Sequence, residues 1–72
     1  MEYRQFLSKR VYECRKQLGL TQAQLGTEVG LSHKSISTIE SGDSSTSIEK
    51  LILLAKFFNV SADYLLGLKD EP

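Results

Sequence analysis

The chain has 72 residues, which is enough for one small domain whose core is marginal unless its helices pack efficiently or the chain self-associates. A single cysteine excludes an intramolecular disulfide, and no apolar run is long enough for a membrane span or for the core of a signal peptide. We therefore expect a soluble protein of a reducing compartment, the cytoplasm.

The nine basic and nine acidic side chains cancel, but they are not evenly distributed. Residues 1–40 hold six basic and four acidic groups, whereas residues 41–72 hold three basic and five acidic groups. The positive end of the chain is therefore its first half, and a surface that binds a polyanion is expected there.

The first predicted element is an amphipathic helix over residues 3–18, which Gly19 ends. Its apolar residues recur every three or four positions and are Tyr3, Phe6, Leu7, Val11, Cys14 and Leu18.

Residues 21–40 predict two short helices joined by a tight turn, which is a helix-turn-helix. Thr21 and Gln24 have the spacing of a capping box at the start of the first helix. Gly30 stands where a helix ends in a left-handed residue, with Leu31 available to plug the turn, and Ser32 can cap the second helix.

The second helix of this motif has a narrow apolar face, formed by Ile36 and Ile39. Its outer residues are polar, small and able to hydrogen-bond: His33, Lys34, Ser37 and Thr38. Such a helix suits the major groove of DNA, where base edges present donors, acceptors and thymine methyl groups.

The remainder predicts two more helices and completes an all-α, compact five-helix bundle. Thr46 is expected to cap the fourth helix, with Glu49 as its capping-box partner, and Ser61 a short fifth helix that ends near Gly67. The inward side of the fourth helix is expected to be Ile48, Leu51, Ile52, Ala55 and Phe58. Residues 1–68 then form the domain, and residues 69–72 are a tail.

The chain offers little for catalysis or metal binding. His33 has no second ligand at a suitable spacing in its own helix, and a zinc site needs three or four convergent ligands. Cys14 lies in an apolar stripe, where it is expected to act as a small hydrophobic side chain. Without a triad or a glycine-rich phosphate loop, we expect no enzyme activity, no cofactor and no metal.

From Val11 to Gly67 the chain resembles the Xre family, the phage-repressor and Cro type of helix-turn-helix regulator. The matching segments follow one another in a fixed order along almost the whole chain: Arg15-Lys16, Leu18 to Gln22, Leu25, Gly30-Leu31-Ser32, Ser35 to Ser37, Ile39 to Gly42, Leu51, Leu54 to Lys56, Phe58 to Ser61, Asp63 and Leu65-Leu66.

The resemblance implies roles for individual residues. Arg15 and Glu40 are expected to form a partly buried ion pair that ties the first helix of the chain to the recognition helix, residues 33–40. The residues implied to read bases are His33, Lys34, Ser37 and Thr38. Those expected to contact phosphates are Arg10, Lys16, Gln22, Ser32 and Ser35.

The chain also departs from the family pattern. Gly26 replaces the usual alanine where the two motif helices cross and permits a closer approach. Asp43, Ser44 and Thr46 occupy a loop that often carries basic residues. Leu53 and Phe57 are unusually large and apolar, so they form either an exposed ridge for self-association or part of a repacked core. If they are core, the dimer surface is expected around Tyr64 and Leu68.

The sequence thus predicts a bacterial or phage transcriptional regulator that binds a palindromic operator in double-stranded DNA, acting as a homodimeric repressor. Three alternatives stay open: a protein-interaction module, an antitoxin-like regulator, and the DNA-binding head of a longer sensor protein.

Overall fold

The computed structural model describes residues 2–43 and 45–72, and every regular element in those ranges is a helix. The helices are α1 (Tyr3–Gln17), α2 (Gln22–Val29), α3 (His33–Ser41), α4 (Ile48–Phe58) and α5 (Ala62–Leu66). The five-helix prediction is confirmed. Met1 of the predicted domain and Ser44 of the predicted loop lie outside the described residues. None of these helices has the length and apolarity needed to cross a membrane.

All five helices contribute to one core. Its buried apolar side chains are Leu7 and Val11 of α1, Leu25 and Val29 of α2, Ile36 and Ile39 of α3, Leu54 of α4, and Leu65 of α5. Helix α3 packs against both α1 and α2, while α4 contacts α2 and α5. Two helices therefore support α3 from behind and leave its opposite face open.

Helix α4 begins one residue later than predicted. Ser47, not Thr46, is its N-cap, and the Ser47 hydroxyl accepts a hydrogen bond from the backbone N–H of Lys50 at 3.2 Å. The predicted capping box of Thr46 with Glu49 is therefore wrong. Two adjacent hydroxyl residues were equally able to cap the helix, so local chemistry did not distinguish them. The Thr46 hydroxyl is buried and has no hydrogen-bond partner among the described residues.

The inward face of α4 is also rotated from the prediction. Leu54 is fully buried, with Leu51, Ala55 and Phe58 packed around it. Ile48 and Ile52, predicted to face the core, are 72% and 47% exposed. The helix is apolar around most of its circumference, so periodicity alone did not determine which side packs inward.

The structure assigns Leu53 and Phe57 differently between the two alternatives, an exposed ridge and a repacked core. Phe57 is half-buried against the core, whereas Leu53 is 39% exposed.

In α1, Leu18 does not continue the predicted apolar stripe. It lies at the C-cap, where the chain leaves the helix, and it is 54% exposed.

Candidate nucleic-acid interface

The helix-turn-helix forms from local capping interactions, as predicted. The Thr21 hydroxyl accepts from the Gln24 backbone N–H at 3.0 Å, and the Gln24 side chain accepts from the Thr21 N–H at 2.8 Å. Gly30 ends α2 with φ of 77°, a conformation that glycine adopts without strain. The Ser32 hydroxyl then caps α3 by accepting from the Ser35 N–H at 3.0 Å.

Gly26 lets the turn approach α2 closely. A Cβ atom added at this position would lie 2.5 Å from the backbone oxygen of Leu31. The carbonyl of Gly26 also accepts from the Leu31 N–H at 2.8 Å, so the turn is bonded to the same residue that it packs against. The predicted close approach at Gly26 is therefore present.

The predicted ion pair of Arg15 and Glu40 is present and buried. The guanidinium donates through Nε to Oε2 at 2.7 Å and through a terminal nitrogen to Oε1 at 2.9 Å, and the side chains are only 9% and 5% exposed. Its other terminal nitrogen donates to the carbonyl of Leu20 at 2.7 Å. The hydrogen bonds to Glu40 raise the pKa of Arg15 above its ordinary value. Because this bidentate pair joins α1 to α3, it fixes the C-terminal end of α3.

Gln22 takes part in the same network. Its amide nitrogen donates to Oε1 of Glu40 at 3.2 Å, and its amide oxygen lies 3.1 Å from Nε2 of His33. The side chain predicted to bind phosphate therefore also links the first residue of α2 to the first residue of α3. One N–H of its amide group remains for a further partner.

The residues predicted to read bases all lie in α3 and are at least partly exposed. His33, Lys34 and Ser37 are exposed, and Thr38 is half-exposed beside them. At the start of α3 the exposed Ser32 hydroxyl donates to that of Ser35 at 3.1 Å. The open surface of the helix therefore presents a cation, hydroxyls, an imidazole and a methyl group.

Lys50 is a residue of this surface that the sequence did not reveal. Its Nζ lies 3.4 Å from the Ser35 hydroxyl, and the two side chains line one polar cleft with Ser32, Lys34 and Thr38. Lys50 belongs to α4 and is separated from Ser35 by fifteen positions, so no local pattern connected them. It supplies, beside α3, a positive charge that the loop after Gly42 does not provide.

Arg10, predicted to contact phosphate, is committed elsewhere. One terminal nitrogen of its guanidinium donates to the carbonyls of Tyr64 and Lys69, the second bond being 2.7 Å long. The guanidinium also lies over the Tyr64 ring, 4.3 Å from its centroid, and its side chain is 13% exposed. Arg10 thus holds the segment after α5 against α1. Lys16, by contrast, is exposed in the last turn of α1.

The residues predicted to form a dimer surface differ in their exposure. Tyr64 is half-buried under Arg10, whereas Leu68 is 60% exposed. Leu68 lies in an apolar groove that Tyr3, Ile48, Leu51 and Leu66 also line.

No metal site is found in the described residues. Residues 2–43 and 45–72 contain no group of three His, Cys, Asp or Glu side chains that could hold an ion.

The sequence of this chain is similar to those of known transcriptional regulators. The uncharacterized HTH-type transcriptional regulator YobD of Bacillus subtilis (strain 168) is 36% identical over 64 residues, covering 89% of this chain and 57% of YobD. Repressor protein C2 of Salmonella phage P22 is 39% identical over 62 residues, covering 86% of this chain and 29% of C2. The chain spans about half the length, or less, of these relatives.

A solved structure has a fold similar to that of this chain. The crystal structure of the P22 c2 repressor in complex with a synthetic operator matches with a TM-score of 0.78 at 38% identity, covering 83% of this chain and 91% of that chain. A family model described as helix-turn-helix matches residues 11–65, well over half of the chain. The chain belongs to the helix-turn-helix family.

Proposed function

We propose that this chain binds double-stranded DNA sequence-specifically, with α3 in the major groove, and that as a homodimer it represses transcription in a bacterial cytoplasm by occupying promoter DNA. The observation that carries the proposal is the exposed polar face of α3. This helix packs against α1 and α2, and the ion pair of Arg15 with Glu40 joins it to α1. The similarity to the P22 c2 repressor, whose structure contains an operator, supports it. No catalytic step is required.

The base-reading residues of this proposal are His33, Lys34, Ser37 and Thr38. Lys34 can donate to O6 or N7 of guanine, and Thr38 can place its methyl against thymine. Their positions in the first two turns of α3 agree with the way a recognition helix enters the groove with its N-terminal residues.

The phosphate-binding residues of the proposal are Lys16, Gln22, Ser32 and Ser35, together with Lys50. Lys34 and Lys50 line one cleft with Ser32 and Ser35. The Ser32 hydroxyl already donates to Ser35, so the cleft offers a phosphate two cations and the Ser35 hydroxyl as a donor. Arg10 is left out because its guanidinium bonds the backbone of residues 64 and 69.

Selection of bound sequences from a random DNA pool tests the DNA-binding proposal. We expect a consensus with two related half-sites in inverted order, and binding that weakens with salt because released counterions contribute to affinity. Lys50→Ala should flatten the log–log salt slope by about one unit, while Lys56→Ala, an exposed lysine of the same helix, should leave it unchanged. A pool that yields no enriched sequence would favour a protein-interaction module instead.

The proposed dimer surface is the exposed apolar side of α4, made of Ile48, Ile52 and Leu53, together with Leu68. These four aliphatic side chains are each at least 39% exposed, and Ile48 and Leu68 line one apolar groove. Exposed apolar side chains grouped in this way are typical of an interaction surface. A symmetric dimer built there would present two recognition helices, which in this class of motif lie about one DNA turn, roughly 34 Å, apart.

Sedimentation of Ile52→Lys tests this surface. The variant should remain helical, sediment as a monomer and bind one half-site weakly, because a charge replaces an apolar contact. Glu49→Lys, which adds a lysine at another exposed position of α4, should remain dimeric. If the Ile52→Lys chain stays a dimer, the subunits meet at another surface.

A further inference from the structure

A chain of hydrogen bonds runs from the buried ion pair to the start of the recognition helix. Arg15 donates to Glu40, the Glu40 Oε1 atom accepts from the Gln22 amide at 3.2 Å, and the Gln22 amide oxygen lies 3.1 Å from His33 Nε2. The chain thus passes from α1 through α3 and α2 to the exposed His33. We call these four residues the polar relay.

The direction of each bond in the polar relay follows from what each group can donate. A guanidinium only donates, and the Glu40 carboxylate that it holds only accepts. Gln22 must therefore turn its NH₂ group toward Glu40, which leaves its amide oxygen facing His33. Because that oxygen also only accepts, the hydrogen of a neutral His33 ring has to be on Nε2.

This assignment determines what His33 can offer to a ligand. A neutral imidazole carries one N–H, so Nδ1 is left as an acceptor when Nε2 is the donor. Among the described residues Nδ1 of His33 makes no hydrogen bond, and the side chain is exposed at the first position of α3.

We propose that the polar relay makes His33 an acceptor that selects a base with an exocyclic amino group. In the major groove those groups are N6 of adenine and N4 of cytosine, whereas guanine and thymine present carbonyl acceptors there. Lys34, which only donates, has the opposite preference, so the two neighbouring side chains distinguish amino from carbonyl edges at adjacent bases. The base preference rests on the proposed DNA-binding function; the assignment of the His33 hydrogen does not.

NMR of the free protein tests the polar relay without DNA. Long-range correlation of the His33 ring nitrogens at about pH 8, above the ordinary titration range of imidazole, should show hydrogen on Nε2 and an unprotonated Nδ1. Gln22→Met removes the amide and should convert His33 to a mixture of tautomers. Gln5→Met, an exposed change in α1, should leave the ring unchanged. A hydrogen on Nδ1 in the parent protein would overturn the relay.

Base preference is then read from binding to a set of operators that differ at single positions. The parent should bind sites with adenine or cytosine at one position of each half-site roughly fivefold more tightly than sites with guanine or thymine, the value for one net hydrogen bond. His33→Ala and Gln22→Met should each reduce that ratio toward one. Specific binding with no amino preference overturns the inference and leaves the proposed function standing. Absence of specific binding overturns both the function and the reading role, while the NMR result still decides the tautomer.

Discussion

Arg15 is buried although it carries a charge, and its surroundings explain why it is tolerated there. Burial of a guanidinium is costly unless its N–H groups have partners. Its Nε and both terminal nitrogens have them: two donate to Glu40 and one to the Leu20 carbonyl. The Tyr12 ring adds a face 5.3 Å from the guanidinium carbon. These contacts turn an unfavourable burial into a specific link between two helices.

Removal of either partner of this ion pair should destabilise the fold. Glu40→Ala leaves a buried guanidinium without its carboxylate, and a loss as large as about 3–5 kcal/mol is expected from urea unfolding. The double variant Arg15→Met/Glu40→Leu should lose less than the sum of its single changes. Arg4→Met, which breaks the exposed pair with Glu2, serves as the control and should barely move the midpoint. An unchanged midpoint for Glu40→Ala would contradict the link.

Cys14 should be a slow nucleophile in the folded protein. Partial burial, with a smaller contribution from the charge of Glu13, raises the pKa of its thiol. Below the pKa of the unfolded thiol both states are protonated, so the thiol does not affect the free energy of unfolding. As the pH rises past that pKa the unfolded chain releases the proton first, and the thiol then lowers the stability of the fold. Alkylation by iodoacetamide should be slower in the native state than in urea. Equal rates would show that the thiol is freely accessible.

Helices α2 and α3 could be predicted from the sequence because their ends depend on neighbouring residues. Thr21, Gly30 and Ser32 each act within four positions, so a short pattern contains the whole interaction. Helix α4 was harder to predict because its rotation depends on which apolar side chain enters the core, and Leu54 does so. Arg10 and Lys50 were not predictable, since their partners lie far away along the chain.

Gly26 should be essential to the packing of α2 against the turn. Alanine has the better helix propensity by about 0.5–1 kcal/mol, but its Cβ would meet the backbone oxygen of Leu31 rather than a flexible side chain. Overpacking of this kind costs about 1–3 kcal/mol, so Gly26→Ala should lower the melting temperature. Glu28→Ala, an exposed change in the same helix, is the matched control. A more stable Gly26→Ala protein would mean that the turn relaxes without cost.

The fold places the charges so that the proposed DNA-binding surface is positive although the chain as a whole is neutral. Glu40 is neutralised by Arg15 and Asp43 lies beyond the end of α3, while Lys34 and Lys50 are brought to the same cleft. The local charge at α3 is therefore more positive than the net charge of zero suggests. Because few cations contribute, non-specific affinity for DNA should be low.

The most direct test of the account measures the affinity of four proteins for the selected operator and for random DNA. Lys34→Ala and Thr38→Ala should each cost about 1–3 kcal/mol on the operator and relax the preference at one position of each half-site. Lys16→Ala should weaken binding to both DNAs about equally, because a phosphate contact carries no sequence information. Parent-like binding by all three variants would contradict the account, since α3 would then not be the surface that reads DNA.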